Sequence, residues 1–543
     1  MITQKNIGIR ASNLSYQHPD GEWQFQNLNL IAHQGFYGLV GNNGCGKSLL
    51  CDLLMSVRQP TSGQIELSGE VAHLVQLHEE YQPSELASDN LSISDGLSIS
   101  DFLSISDFLG ITPVLEAIIR IEQGSIDAND FETVGDNWDI RERLEDELEA
   151  MGVRCHLDQR ITSLSGGELT RLKLWQLFES NPNVLILDEP SNHLDQKGKQ
   201  WLIDRLRQFS GCALVVSHDR QLLSYADGIF ELSHLGLSHY SGNFEAYHQT
   251  KAVEQAAITR KLEHIEKQQK QVARKAQEDH EKAQKRAAQG NRLRKSGSQS
   301  KLILDGAKQS AEKSASAKQN MHERRKQTLT DTHQSLSQLK AQQHSMSLSF
   351  ENHSQKQRQL VFLENCILPF GSDAPITWSV HSGDKWHISG ENGKGKSTLL
   401  KCLSGELSFS FGSSNLKECL YIDQHFSLLG NELPMIDVVK AHLEHLNDGE
   451  IRNLLAAIGF RRDSVFRCCQ KLSGGEKMKL SVLIASHQAQ PCLLLLDEPD
   501  NHLDITSKQL LANMLADYQS GFVLVSHDPV FVEESGVQYT FQI

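Results

Sequence analysis

The sequence predicts an α/β protein built twice, with two P-loop domains joined by a long α-helical hairpin linker. Three observations carry that expectation. Eleven residues are used twice, LILDEPSNHLD from Leu185 to Asp195 and LLLDEPDNHLD from Leu494 to Asp504, agreeing at nine positions and standing far apart in the chain. A GxxxxGK[ST] loop stands upstream of each copy. Between the copies, from Ser191 to Leu368, the chain has no proline and shows helical spacing of apolar residues.

In each repeat, four apolar residues before Asp-Glu read as a buried strand. Such a strand delivers two carboxylates to its carboxyl end, where ligands of open α/β sheets bind. One copy alone would pass for a core strand ending in a capping Asp. Two copies behind two phosphate loops would not.

A chain of 543 residues is too long for one core, and at roughly 100–200 residues per domain it divides into three or four. The expected division is 1–245 for the first repeat, with an insertion at about 78–160, 246–347 for a basic helical linker and 348–543 for the second repeat. The longest apolar runs, such as Val184 to Leu187 and Leu493 to Leu496, fall far short of the roughly 20 residues of a membrane span. The polar start MITQKNIGIR does not read as a signal peptide. Ten cysteines lack CxxC spacing and are expected to be reduced thiols in a cytosolic protein. Net charge is −15, yet residues 251–345 hold 21 Lys and Arg against 10 Asp and Glu. One basic segment on an acidic body argues for a single anionic contact surface rather than general nucleic-acid coating.

In chain order, IGIRASNLSYQ reads as a strand closed by Tyr16, which alone would be an ordinary strand aromatic. FYGLVGNNGCGKSLL then places a strand before Gly41-Asn42-Asn43-Gly44-Cys45-Gly46-Lys47-Ser48 and opens a helix after it. In that context the glycines admit phosphates to backbone N–H groups, the helix N-terminus adds positive potential, Lys47 reaches the β and γ phosphates and Ser48 coordinates Mg²⁺. Gln76 ends the strand-like VAHLVQ, and Gln424 ends LYIDQ at nearly the same offset from Lys396 as Gln76 has from Lys47. The first repeat carries about 40 extra residues before its next motif, partly as a hexad written three times, LSISDG and LSISDF twice. Slippage producing a tolerated surface insertion accounts for the hexads. No chemical role is assigned to the acidic, helically spaced remainder; an arm contacting a partner is one reading of it. LSGGE follows in each repeat, with Ser165, Gly166, Gly167 and Glu168 in the first and Ser473, Gly474, Gly475 and Glu476 in the second. Ser-Gly-Gly before an amphipathic run is a helix start with exposed N–H groups. Downstream strands end at His218 and His527, as far apart as the two carboxylate motifs.

This order of phosphate loop, glutamine, LSGG, Asp-Glu strand and histidine, present twice, resembles tandem ATP-binding cassettes. LSGGE, the NHLD after DEP and YSGNFEAY at Tyr240 to Tyr247 are similar to the F subfamily, a soluble class whose studied members act on ribosomes. The second phosphate loop is Gly390-Glu391-Asn392-Gly393-Lys394-Gly395-Lys396-Ser397, and Phe370 is the weaker counterpart of Tyr16. The resemblance implies ATP and Mg²⁺ bound between cassettes that close head to tail in a monomer. Site one would combine Tyr16, Lys47, Ser48, Gln76, Asp188, Glu189 and His218 with Ser473, Gly475 and Glu476. Site two would combine Phe370, Lys396, Ser397, Gln424, Asp497, Glu498 and His527 with Ser165, Gly167 and Glu168. Asp188 and Asp497, with Ser48, Ser397, Gln76 and Gln424, would hold the metal. Glu189 and Glu498 would act as bases, and His218 and His527 would orient the attacked phosphate and water.

Between the repeats, Ile258, Leu262, Ile265 and Val272 share a helical stripe, and Leu329, Leu336, Leu339 and Met346 have heptad-like spacing. The reading is two antiparallel helices with a basic tip, GNRLRKSGSQSKLILDGAKQS; a solvated charged spacer is the alternative. The resemblance sends this linker toward ribosomal RNA and the peptidyl-site transfer RNA. The sequence stops soon after His527, so the C-terminal coiled extension of some members is not expected. The leading expectation is a cytoplasmic ATP hydrolase that binds the ribosome and modulates translation. Alternatives are a ribosome-protecting resistance factor, the ATPase subunit of a transporter, and a DNA-repair ATPase.

Overall fold

The computed structural model describes residues 7–74, 104–153, 156–164, 166–192, 194–233, 235–295, most of 316–336, 358–391, 393–416, 419–423, 426–430, 433–460, 462–488, 492–501 and 503–543. The expectations for Gln76, Ser165, Asn392, Gln424, Leu339 and Met346, and for most of the basic tip, lie outside those residues. The chain divides into two compact units, Met1–Ala246 with Met346–Ile543, and Tyr247–Ser345.

In the first cassette, strands β1 (Ile7–Gln17), β2 (Trp23–His33) and β4 (Ser62–Leu67) form an antiparallel layer in the order β2-β1-β4. The main sheet runs β5-β6-β7-β3-β8-β9, from β3 (Gly35–Val40), β5 (Val71–Leu74), β6 (Val184–Asp188), β7 (Cys212–Val216), β8 (Gly228–Ser233) and β9 (Gly236–Ser241). All its pairings are parallel except β8–β9. Every residue of β6 and β7 is buried, as their unbroken apolar runs require of central parallel strands. Helix Lys47–Leu54 packs its Leu50, Leu53 and Leu54 into the core shared by the two sheets.

The second cassette repeats the plan. Strands β10 (Gln359–Ile367), β11 (Ile376–His381) and β13 (Phe411–Leu416) pair as β11-β10-β13. The parallel sheet runs β14-β15-β16-β12-β17, from β12 (Lys385–Ser389), β14 (Cys419–Ile422), β15 (Leu493–Asp497), β16 (Phe522–Val525) and β17 (Tyr539–Gln542). In both sheets the Asp-Glu strand is flanked by the strand that leads to the glutamine and by the strand that ends in histidine. The Asp-Glu motif and the histidine, distant in sequence, therefore emerge side by side at the carboxyl ends of neighbouring strands.

Each cassette adds a helical layer. In the first it comprises Ile105–Phe108, Thr112–Glu122, Ala128–Val134 and Ile140–Ala150, with Ile105, Leu144, Leu148 and Met151 packed on Leu172 and Trp175 of helix Gly166–Glu179. This corrects the reading of the hexads as surface material in one respect. The third copy caps and begins this layer: Ser104 accepts from Asp107 N–H in a capping box, and Ile105 is fully buried. In the second cassette, Met435–His442 and Asp448–Ala457 do the corresponding work. Matching bridges, Ser104 with Arg160 and Pro434 with Cys468, open the two layers. The stretch from Ser104 to Leu164 is longer than its counterpart from Pro434 to Leu472, so much of the first cassette's excess is folded structure.

In the other unit, one helix runs Phe244–Lys295, 52 residues and roughly 78 Å at 1.5 Å per residue. Asn243 caps it by accepting from Ala246 N–H. Leu262, Ile265 and Val272 are buried as the stripe requires. Leu329, His333 and Leu336 are the less exposed side of the returning helical residues, and His333 Nε2 lies 3.6 Å from Glu266. That contact supports helices packed as a hairpin rather than a solvated spacer. No helix among the described residues is long and apolar enough to cross a membrane.

Candidate ATP sites

The two phosphate loops share one conformation. Gly41 and Gly390 have φ 159° and 158°, Gly44 and Gly393 both 79°, and Gly46 and Gly395 both 99°. The last pair caps the following helix in the left-handed region, which glycine reaches at no steric cost. Around Gly44 and Gly393 a Cβ would meet nothing within 4 Å, so each loop rims open space. Lys47 Nζ donates to Gly41 O (2.8 Å) and Asn42 O (3.4 Å), and Lys396 Nζ to Gly390 O (2.9 Å) and Glu391 O (3.2 Å). Both ammonium groups are buried over the loop, and burial lowers the pKa of Lys396.

The Asp-Glu strands end against these loops. Asp497 accepts from Ser397 Oγ and from Tyr421 OH, both at 3.0 Å. Ser397 and Asp497 thus already share the position a divalent ion needs. The first cassette has Ser48 and Asp188 there, but His73 in place of Tyr421: the first pairs with Ile186 as the second pairs with Leu495. Among the described residues, no cluster of three or more His, Cys, Asp or Glu is arranged to hold a metal unaided. This donor set of one hydroxyl and one carboxylate fits Mg²⁺, which keeps waters and phosphate oxygens as its other ligands.

The neighbouring glutamates adopt an unusual backbone. Glu189 and Glu498 have φ 49° and 48°, while their N–H groups still donate to Val216 O and Val525 O at 2.9 Å. Non-glycine residues in this region are uncommon and concentrate at functional sites. Here the turn aims each carboxylate at the end of the next strand, where His218 Nε2 is 3.6 Å from Glu189 and His527 Nε2 is 3.5 Å from Glu498. Burial, reinforced by Asp188, pushes Glu189 up to about 7, and burial with Asp497 and Asp500 does the same to Glu498. Burial also drives His218 well below its usual range and His527 down to about 3, so both imidazoles are neutral. A carboxylate poised near neutral pH beside a neutral imidazole suits general-base work.

At the signatures, Ser473 caps helix Gly474–Ser486: it accepts from Glu476 N–H, and Glu476 in turn accepts from Ser473 N–H at 2.9 Å. Glu476 also pairs with Arg467 at 3.2 Å. The signature glutamate therefore fixes the helix start. Phe370 is 69% exposed at its cassette's rim, and its loop is stitched to the phosphate loop by Ser372 N–H donating to Lys394 O. Tyr16 stacks edge-on with His18, His18 contacts Gln24 at 2.9 Å, and Gln24 donates to Gly44 O at 2.9 Å. Sequence reading missed Gln24, which is remote in sequence from its partner and belongs to no motif.

The cassettes meet through the residues after DEP. Asn43 N–H donates to Asp504 Oδ2 across the interface (3.0 Å), and Lys197 pairs with Glu391 at 2.9 Å. Arg220 reaches Glu534 at 2.8 Å and Gln509 at 3.2 Å. Each phosphate loop is thus touched by the opposite cassette.

Comparison with known proteins agrees with this geometry. The sequence pattern described as ABC transporter matches residues 25–192 and 374–501. The chain is 30% identical to "Putative ATP-binding protein YdiF" of Bacillus subtilis over 69% of its own length and 55% of the relative's. It is 29% identical to "Probable ATP-binding protein YheS" of Escherichia coli K12 over 90% of its length and 72% of the relative's. With "ABC transporter F family member 5" of Arabidopsis thaliana it shares 27% identity over 92% and 69%. Among solved structures, the complex of archaeal ribosomal stalk protein aP1 and archaeal ribosome recycling factor aABCE1 matches with TM-score 0.50 at 16% identity, covering 98% of this chain and 87% of that one, a likeness of fold. Two P-loop domains in one chain, with the motif set duplicated and the relatives spanning both, place this protein in the ABC transporter family, in a tandem-cassette form.

Proposed function

We propose that the chain is an ATPase whose cassettes close on two ATP molecules and whose basic helical hairpin acts on the ribosome. The observation that carries the catalytic part is the duplicated constellation: phosphate-loop lysine, hydroxyl and carboxylate for a metal, strained glutamate and neutral histidine recur in both cassettes. Lys47 and Lys396 leave their loop carbonyls for the β and γ phosphates. Ser48 with Asp188, and Ser397 with Asp497, hold Mg²⁺, which supplies charge neutralisation on the phosphate oxygens; Gln76 and Gln424 complete these sets. Glu189 and Glu498 accept a proton from the attacking water, and His218 and His527 orient it. Such positioning and charge stabilisation is most of what phosphoryl transfer requires. Tyr16 and Phe370 stack on adenine. Ser473, Gly475 and Glu476 close the first site, and Ser165, Gly167 and Glu168 the second.

The partner follows from charge. The segment from Lys251 to Ser345 carries a net +11, and its first arm is a continuous helix of 52 residues. A long rigid cationic element suits RNA, with affinity that falls as salt rises. The archaeal aABCE1, whose fold this chain shares, is a ribosome recycling factor, which adds support for this partner. The test is sedimentation of the Glu189→Gln, Glu498→Gln variant with ribosomes through sucrose, with and without ATP. Co-migration is expected only with ATP, and is abolished by reversing charges at Arg292, Arg294 and Lys295. No co-migration at low salt, with ATP binding intact, would remove the ribosome from this reading.

A further inference from the structure

Two buried lysines between the cassettes have no part in the motifs. Lys199 lies one turn into helix Gln196–Gln208, whose cap is Asp195, and Lys508 occupies the matching position in helix Ile505–Asp517, capped by Asp504. Both are about nine-tenths buried. One cavity of about 30 Å³ is lined by Glu189 and His218 of the first cassette, Glu498 and His527 of the second, and both lysines.

Their bonding differs. Lys199 Nζ pairs with Asp219 of its own cassette at 2.7 Å and donates across the interface to the backbone carbonyl of His527 at 3.2 Å. Lys508 Nζ faces two acids of its own cassette, Asp528 at 3.4 Å and Asp500 at 3.7 Å. Among the described residues it makes no hydrogen bond to the first cassette. The cause is one of the two differences between the repeated motifs. Ser191, which contacts Ser217 at 3.2 Å, stands where the second cassette has Asp500. An extra buried carboxylate holds Lys508 at home, whereas Lys199, with one acid to satisfy, has a donor left for its neighbour.

The geometry points to Lys199 as a positioning residue of the second ATP site, tying the helix that follows the first cassette's Asp-Glu loop to the His527 loop, while Asp500 keeps Lys508 from the reciprocal contact. The hydrogen-bonded tie is one-way, while Lys508 feels the charges of Asp219 and Glu189 across the interface without donating to the described residues of the first cassette. When that helix of the first cassette moves, the carbonyl of His527 moves with it, and the second site's histidine gains or loses its place opposite Glu498. This inference rests on the assignment of Glu189 and Glu498 as the bases of two sites.

The test uses the full chain, with steady-state ATP hydrolysis in two backgrounds: Glu189→Gln leaves the second site active, and Glu498→Gln the first. Lys199→Met is expected to lower kcat about tenfold in the first background and less than about twofold in the second, with KM little changed. Lys199→Arg restores most of the loss, since a guanidinium can still donate to a carbonyl. Because Lys199→Met strands Asp219 as a buried charge, Lys199→Met with Asp219→Asn serves as the second variant and is expected to show the same split. Asp500→Ser, made in the Glu498→Gln background, is expected to make the first site newly sensitive to Lys508→Met. Equal losses in both backgrounds, no loss in Glu189→Gln, or an Arg variant as poor as Met overturns the inference. So does an inactive Glu189→Gln single variant, because one-way positioning needs a second site that turns over alone. Full turnover in the Glu189→Gln, Glu498→Gln double variant overturns the site assignment itself, and is thereby distinguished from failure of the Lys199 role.

Discussion

At Glu189 the protein holds a carboxylate where neither backbone nor solvent favours it, with φ at 49° and the side chain buried beside Asp188. The folded-state pKa, pushed up to about 7 from 4.5, means that the folded chain binds a proton the unfolded chain has released. By linkage, stability conferred by the protonated form is present below the unfolded value and is lost as pH rises toward 7. Glu189→Gln is therefore expected to raise the stability of nucleotide-free protein in EDTA by about 1–3 kcal/mol at pH 8 and by little at pH 5. Melting curves at the two pH values read this directly, and an equal shift at both would show that burial is not the cause. Cys45 makes a second residue-level prediction. Its thiol sits in the first phosphate loop, and burial raises its pKa despite the opposing pull of Lys47. Iodoacetamide should label it slowly at pH 7.5 and faster as pH climbs, with saturating ATP protecting it; peptide mass spectrometry follows the site. Labelling that is rapid at neutral pH would contradict the raised pKa.

Elements show how far the sequence could be read. The strands β6 and β15 and both phosphate loops were legible because each is a contiguous run whose chemistry is spelled out locally. The helical layer was not. LSISDF has no helical period of its own, and its repetition disguises a third copy whose Ile105 meets Leu172 and Trp175 from a much later part of the chain. Nor did any local signal mark Gln24, Tyr421 or Lys199, whose partners are supplied by the phosphate loop, by a remote strand and by the other cassette respectively. The helical layer gives a sharp test of the corrected reading. Ile105→Ala should cost about 2–4 kcal/mol of unfolding free energy, as for a fully buried Ile in a close-packed cluster, whereas a surface insertion would tolerate it within about 0.5 kcal/mol. Urea unfolding monitored by tryptophan fluorescence suits the measurement, since Trp175 lies in the same cluster.

On the scale of the whole molecule, the proposed function depends on two cassettes closing on each other, and among the described residues polar contacts help to join them. The pair between Arg220 and Glu534 stands out because Arg220 is 11% exposed, Glu534 28%, and the guanidinium also donates to Gln509. A partly buried, charge-assisted contact of this kind contributes more than a surface ion pair, while losing one partner leaves the other badly solvated. Among the described residues neither touches a phosphate loop, so their removal should act on closure and spare the chemistry of a closed site. Arg220→Ala and Glu534→Ala are each expected to raise KM for ATP about three- to tenfold while kcat at saturation falls less than about twofold, as uniform loss of closing free energy requires. In combination they should do little more than either alone, giving a coupling of about 1 kcal/mol in a double-mutant cycle. Additive effects would mean that the two side chains act separately. A fall in kcat at unchanged KM would move Arg220 from holding the cassettes together to arranging the catalytic groups, since it opens the short helix two residues after His218.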